Sequence, residues 1–243
     1  MEDKSGAFSG ATGRSLEGAS QQPRYRRFQY DLISPHCGAS VLEVGAGLGE
    51  FASQFHSLER LIVTDVDPGA VAAMRQTFGD RTEVEVRQLD LDEQLEIGKP
   101  VESVVSINVL EHIDDDAGAL RSLAELVEPG GSIVLWVPGY QQLYGDFDRK
   151  VGHVRRYTPT TLADTVRRAG LDLELVKPVN LLGGIAWWLT VRKGGTGAPN
   201  PKLVAVYDRF VVPVTRAIER FIRPPFGQSV LCVARKPRTD RPG

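Results

Sequence analysis

Val41-Leu42-Glu43-Val44-Gly45-Ala46-Gly47-Leu48-Gly49-Glu50 decides how the rest of the chain is read. A short apolar strand runs into three glycines at alternate positions. Glycines in a strand-to-helix turn let the backbone pass close beneath a ligand. Glu50 to Leu58 reads as the helix that follows. A dinucleotide fold places its glycines as G-x-G-x-x-G. Here the spacing is G-x-G-x-G and the next residue is Glu50. A carboxylate at a helix N-terminus would repel a pyrophosphate held there. The turn therefore fits a nucleoside without phosphates better than a dinucleotide.

Working outward, strands and helices alternate. Arg60 to Thr64 is a second strand, and Pro68 opens a helix that runs to about Phe78. Val84 and Val86 mark a third strand, and Val104 to Ile107 a fourth. Asp115 to Val127 is a helix closed by Glu128-Pro129-Gly130-Gly131, and Ser132 to Val137 is a fifth strand. Upstream, Arg24 to His36 reads as a helix leading into the domain, and residues 1–23, rich in Gly, Ser, Ala and Gln, as a disordered tail. Downstream, Tyr140 to Thr158 reads as a long charged loop. Thr158-Pro159 caps a helix that ends at Gly170, and Leu171 to Val176 is a sixth strand. Residues 181–226 form a helical insertion or lid. Ser229 to Ala234 is a last strand, and residues 237–243 are a polar, disordered tail. The expected fold is α/β, with one domain over 24–236. It is a Rossmann-like doubly wound sheet of about seven strands, mostly parallel with an antiparallel last strand.

Composition narrows the function classes. The chain has 243 residues and a formal net charge of −2, so no broad basic surface marks a nucleic-acid binder. Its two cysteines, Cys37 and Cys232, form no CxxC pair, which fits a reducing cytoplasm and argues against a thiolate metal site. No uncharged apolar stretch reaches about 18 residues, so no transmembrane helix is expected. Nothing in the pattern specifies an oligomeric state.

Asp65, at the end of the second strand, can accept hydrogen bonds from both hydroxyls of a ribose. Asp67 better fits the role of helix cap before Pro68. With these motifs in view, residues 40–137 resemble the class I S-adenosylmethionine-dependent methyltransferases. The glycine turn matches their first motif, and Ile62-Val63-Thr64-Asp65-Val66-Asp67-Pro68 is similar to their second. Gln88-Leu89-Asp90-Leu91 is similar to the third. Val105-Ser106-Ile107-Asn108-Val109-Leu110-Glu111-His112-Ile113 is similar to the fourth, and Glu128-Pro129-Gly130-Gly131 to the entry of the fifth strand. The resemblance implies S-adenosyl-L-methionine as cofactor, bound over Gly45–Gly49. Gly45, Ala46 and Gly47 would contact the methionine carboxylate and sugar, and Glu43 would orient the turn and the amino group. Asp65 would hold the ribose, Asp90 and the backbone of Leu91 the adenine, and Asn108 would meet the methionyl end.

Two rival readings bear on the same residues. A short-chain dehydrogenase needs a Tyr-x-x-x-Lys pair, and none of the six tyrosines has a lysine four residues on. A binding module that keeps the nucleoside pocket without turnover is the non-enzyme alternative. For methyl transfer to a hydroxyl, a histidine base is the commonest solution. His112 and His153 both follow strands on the edge where ligands bind in open parallel sheets. His153 is the preferred base, with Asp146 or Asp148 to orient it and His112 the second candidate. Tyr144, Arg155, Arg156 and Trp187 are the expected acceptor contacts, the arginines toward an anionic group. O-methylation of a small or lipid- or glycan-linked acceptor is the preferred reaction, and N-methylation the nearest alternative. Some O-methyltransferases of the superfamily carry E-x-x-E-H at the fourth motif and bind a divalent metal. Here the first carboxylate is replaced by Asn108, so no metal is expected. Trp187, Trp188, Arg192 and Lys193 could also touch a membrane surface, which leaves peripheral attachment as a second reading of location.

Overall fold

The computed structural model describes residues 22–91, 96–189 and 201–238. The expected tails lie outside these bounds, except Gln22, Pro23, Pro237 and Arg238. Arg192 and Lys193 also lie outside the described residues.

The first helix, α1 (Pro23–Ile33), starts on a proline at its first turn, where the missing N–H is no loss. It is one residue longer at its start than the expected helix. The strands are β1 (Ser40–Val44), β2 (Arg60–Asp65), β3 (Val84–Gln88), β4 (Val101–Ile107), β5 (Val127–Pro138), β6 (Asp172–Val179) and β7 (Ser229–Arg235). Between them lie α2 (Pro68–Phe78), α3 (Asp116–Glu125), α4 (Asp146–Val151), α5 (Pro159–Arg168) and α6 (Leu181–Trp187). A final helical stretch comprises α7 (Pro201–Val206), a wider π-type turn over Tyr207–Val211, and α8 (Val212–Glu219). Caps fix the helix starts. Asp67, Asp115 and Thr158 accept from the backbone N–H of Gly69, Gly118 and Thr161.

The seven strands form one sheet in the order β3-β2-β1-β4-β5-β7-β6. β3 through β5 pair in parallel, while β7 runs antiparallel to both of its neighbours. The strand order reverses between β1 and β4, and ligands bind at such a switch point, beyond the carboxyl ends of the strands. Alternate residues feed two cores. Leu42, Val44, Ile62, Val104 and Leu135 pack with α3 and α5 on one face. Val41, Leu61, Val63, Val134 and Trp136 pack on the other. On that second face Tyr25 and Phe28 of α1 meet the Trp136 ring edge-on, which clamps α1 across the sheet.

Two expectations are corrected. No α-helix occupies Glu50 to Leu58; a turn leads into a single 3₁₀ turn, Ala52–Gln54. The chain must already return at Glu59, whose N–H donates to the Ala39 carbonyl, so little length remains for a helix. Phe51, Ala52 and Phe55 are still buried, which is why the apolar spacing looked helical. The argument that a helix N-terminus would meet Glu50 therefore falls. Nor is Tyr140 to Thr158 an open loop. It holds a 3₁₀ turn (Gln141–Leu143) and α4, and it is closed at its base by Tyr157 N–H to Pro138 O and Tyr140 N–H to Tyr157 O.

Gly49 has a φ of +77°, and a Cβ there would lie 2.5 Å from the Phe78 ring. Gly49→Ala should therefore cost about 1 kcal/mol for the left-handed backbone and about 1–3 kcal/mol for the overpacked contact. Denaturant unfolding is the measurement. A loss below about 0.5 kcal/mol would contradict this account.

Candidate active site

Glu43, Asp65, Asp90 and Asn108 stand at or just beyond the carboxyl ends of β1, β2, β3 and β4. The strand order makes these ends neighbours, so the residues share one rim of the sheet. Between them Gly45, Gly47 and Gly49 all have positive φ, at 69°, 60° and 77°. A Cβ on Gly45 would fall 2.4 Å from a methyl of Val109. The glycine backbone thus runs directly against the segment after β4, where side chains could not pass. Ala46 is fixed by its N–H to the Thr64 carbonyl.

Asp65 is buried. One carboxylate oxygen accepts from Gly47 N–H at 2.8 Å and the other from Asp67 N–H at 2.9 Å. The acid therefore shapes the glycine turn. A carboxylate has about four lone-pair positions, so accepting bonds from a ribose remains compatible with this work. The Leu89 N–H donates to the Asp65 carbonyl at 3.2 Å, which sets Asp90 and Leu91 beside it. Asn108 has φ +53° and donates its N–H to the Trp136 carbonyl.

Two residues of α1 enter this rim without having been singled out from the sequence. Arg26 lies 3.6 Å from Glu50 and donates to Gln29 Oε1. Gln29 is fully buried. Arg26 Nε, Gln29 Nε2, Glu43 Oε2 and Glu50 Oε2 are all buried, and none has a hydrogen-bond partner among the described residues. Buried polar atoms are rarely left so, and a cluster of both signs suits a zwitterionic ligand. The legible signal was Gln29, a polar residue on the buried stripe shared with Phe28 and Ile33.

The family model described as "Methyltransferase domain" matches residues 20–176. The chain belongs to the S-adenosylmethionine-dependent methyltransferases. A "probable S-adenosylmethionine-dependent methyltransferase" of Mycobacterium tuberculosis is 34% identical over 118 residues, 47% of this chain and 42% of that protein. A "ubiquinone biosynthesis O-methyltransferase" of Pseudomonas savastanoi pv. phaseolicola is 32% identical over 101 residues, 40% of this chain and 43% of that protein. The chain thus spans about two-fifths of the length of these curated relatives. A chain of the complex containing the Haloferax volcanii Trm112 methyltransferase activator superposes with a TM-score of 0.66 at 16% identity. That match covers 95% of this chain and 96% of the other, and it shows the shared fold.

The methyltransferase fold assigns S-adenosyl-L-methionine to this rim, and the residues fit it. The glycine turn gives close backbone approach, and Arg26 and Glu43 offer one charge of each sign to a methionyl carboxylate and ammonium. Burial pushes the Glu43 carboxyl up to about 8; Arg26 and the Ala52 N–H pull it down, and Asp65 pushes it further up. Free Glu43 is therefore protonated at neutral pH. An ammonium beside it favours the carboxylate, so cofactor binding should expel a proton. Calorimetry with S-adenosylhomocysteine at pH 6.5, in buffers of different ionisation enthalpy, should show close to one proton released, and Glu43→Gln should abolish the release. Heats independent of buffer would remove Glu43 from this role. The same sign applies to folding. Glu43 holds a proton in the folded state between pH ~4.5 and 8 that it lacks unfolded, so its contribution to stability is lost as pH rises through that window.

The second half of the site lies over the segment after β4. Glu111 is fully buried, and its carbonyl accepts from Val154 N–H, which ties the α4 segment down. His153 is 7% exposed. Its Nδ1 lies 2.8 Å from Asp148 Oδ1, and its Nε2 lies 3.7 Å from Glu111 Oε1. Asp148, not Asp146, is thus the orienting acid. Burial alone would raise the Asp148 carboxyl, but His153 and Arg156 outweigh it and hold it below the usual range. His112 Nδ1 lies 3.2 Å from the Gly152 carbonyl, and its ring meets His153 edge-on at 4.7 Å. Burial, and then the neighbouring His153, lower His112 to about 4.

The expected acceptor contacts are placed differently. Arg156 is buried and forks onto Asp148, with Nε at 2.7 Å and an NH2 at 3.1 Å. Arg155 pairs with buried Asp116 at 2.9 Å and bonds the Asp114 carbonyl. Both arginines dock the segment on the sheet, because buried carboxylates demand partners. Neither is left to grip an anionic acceptor. Tyr144 donates its hydroxyl to the His153 carbonyl. Trp187 donates to the Leu143 carbonyl, packs against Phe147, and lies under Arg156. Tyr144 thus braces the histidine directly, and Trp187 packs on the Arg156 that holds Asp148.

Proposed function

We propose that the protein transfers a methyl group from S-adenosylmethionine to a hydroxyl, and that the cluster of Glu111, His112 and His153 activates that hydroxyl. The observation that carries this reading is the Asp148–His153 pair. A carboxylate held ionised can only accept, so His153 Nδ1 must donate to it. Nε2 then faces inward toward Glu111. The Gly152 carbonyl fixes the His112 ring through its Nδ1. Two imidazoles, each with Nδ1 on an oxygen acceptor, and one carboxylate thus converge beside the β4 end of the cofactor rim.

Bound at the rim, S-adenosylmethionine supplies an activated methyl carbon, whose bond to sulfur breaks with its electron pair left on sulfur as the bond to the acceptor oxygen forms. The protein's part is positioning and proton removal. Glu43, Arg26 and the glycine turn hold the methionyl end. The cluster removes the hydroxyl proton. Trp187, Tyr144 and the α4 segment shield it from bulk water.

For the acceptor, a lipid- or glycan-linked hydroxyl is the preferred class. The final helical stretch presents Leu203, Val206, Phe210 and Val214 outward, followed by Phe221 at 88% exposure. Exposed Arg209, Arg220 and Arg223 lie along the same stretch. Apolar groups beside cations suit the edge of a lipid surface. No helix among the described residues is long and apolar enough to cross a membrane. Incubation with methyl-labelled cofactor and a lipid-containing cell extract tests the reading. Label should enter an organic-extractable product as a base-stable methyl ether. Label found only in amines or protein would overturn it.

A further inference from the structure

We infer that Glu111, His112 and His153 bind a divalent first-row transition cation of zinc-like ligand preference. The inference rests on the reading of this cluster as the acceptor-activating site and deepens it. One ligand atom from each residue lies within 4.8 Å of the others. Donors around such a cation sit about 3–3.5 Å apart, given bonds of about 2.0–2.2 Å, so the cluster needs only a small contraction.

The ring geometry is that of ligands. The Nδ1 atoms of both histidines are tied to oxygen acceptors, His112 to Gly152 and His153 to Asp148. Nε2 is then the atom by which each ring would bind a cation. A carboxylate behind a histidine fixes its tautomer and raises its basicity as a metal ligand. That carboxylate is itself held, by Arg156 and by the Gly145 N–H. Glu111 adds a buried negative charge on the opposite side of His153, and a cation between them would offset it.

The donor set selects the class of ion. Two imidazoles and one carboxylate suit zinc, cobalt, manganese or iron; magnesium and calcium prefer all-oxygen sites. Along the sequence Glu111 and His112 are adjacent, and Asn108 puts an amide where a third donor would stand. The fold brings the third from 41 residues beyond His112, through the tie between Val154 N–H and the Glu111 carbonyl. Three protein ligands leave a coordination position for the acceptor oxygen, whose proton becomes more acidic on binding. His153 would then serve as a ligand, and the acidified hydroxyl would pass its proton to the Glu111 carboxylate.

The test uses the full chain, stripped by chelator dialysis and titrated with ZnCl2 and CoCl2. Calorimetry should show one tight equivalent, and cobalt should give visible d–d absorption. Glu111→Gln and His153→Ala should each weaken binding at least a hundredfold, and Asp148→Asn about tenfold or more. His56→Ala, at an exposed position, should change nothing. S-adenosylhomocysteine affinity and circular dichroism confirm folding of each variant. Absence of a tight equivalent, or binding indifferent to Glu111→Gln and His153→Ala, overturns the site. If His153→Ala is inactive yet the native chain binds no cation, the base reading stands and the cation falls. If the cation binds at these residues but His153→Ala turns over normally, the site stands and the proposed activation role falls.

Discussion

Replacing His153 with alanine lowers turnover by about two orders of magnitude or more, while cofactor affinity stays within about twofold. Proton removal by a positioned group is typically worth 10²–10⁴-fold in rate. The ring sits between Asp148 and Glu111, so its loss should leave the glycine turn and Asp65 in place. Single-turnover kinetics with labelled cofactor is the measurement, alongside calorimetry for affinity. Removing the ring also costs Asp148 one of its partners and leaves it to Arg156 and the Gly145 N–H, so stability should be checked by denaturant titration. Asp148→Asn provides a second test. It keeps a hydrogen-bonding group but weakens the hold on the His153 tautomer, and turnover should fall with a shifted pH profile. Normal turnover by His153→Ala and His112→Ala alike would mean that the acceptor needs no proton removed, as for an amine.

Asp65→Ala should reduce affinity for S-adenosylhomocysteine at least tenfold. Two charge-assisted hydrogen bonds to a ribose are worth ~1.5–3 kcal/mol each before water compensates. The same carboxylate holds the Gly47 and Asp67 N–H groups, so its removal also leaves two half-buried donors without their acceptor. Unfolding should therefore show a loss of about 1–3 kcal/mol as well. Asp65→Asn separates the two effects, because an amide oxygen can still accept one backbone bond while the charge is gone. A folded Asp65→Ala protein with unchanged affinity would leave Asp65 a purely structural residue.

The succession of strands and helices and the glycine turn were legible in the sequence because both depend on local pattern. Apolar runs such as Val41–Val44 and Ile133–Val137 must be buried on both faces. Proline and aspartate caps at Asp67-Pro68 and Thr158-Pro159 restrict the backbone within a residue or two. Glycines at 45, 47 and 49 mark positions where φ is positive, and at 45 and 49 no Cβ fits. These constraints act over short distances, so they survive translation into spacing.

Only the tertiary structure decided what gathers around them. Nothing near Arg26 or Gln29 announces that α1 crosses the sheet and delivers them to Glu43, well beyond them in the chain. The apolar spacing of Phe51, Ala52 and Phe55 suggested a helix, but the short path back to β2 forbids one. Asp148, Arg156 and His153 read as members of a charged loop, because ion pairing between them has no period. Burial settles their roles. Once Asp148 is removed from water it must take both a guanidinium and an imidazole. That requirement folds the segment, commits Arg156 to structure, as buried Asp116 commits Arg155, and sets His153 against Glu111 and His112. Local chemistry written into the chain thus determines the sheet and its glycine turn, while long-range desolvation determines which charged side chains meet across it.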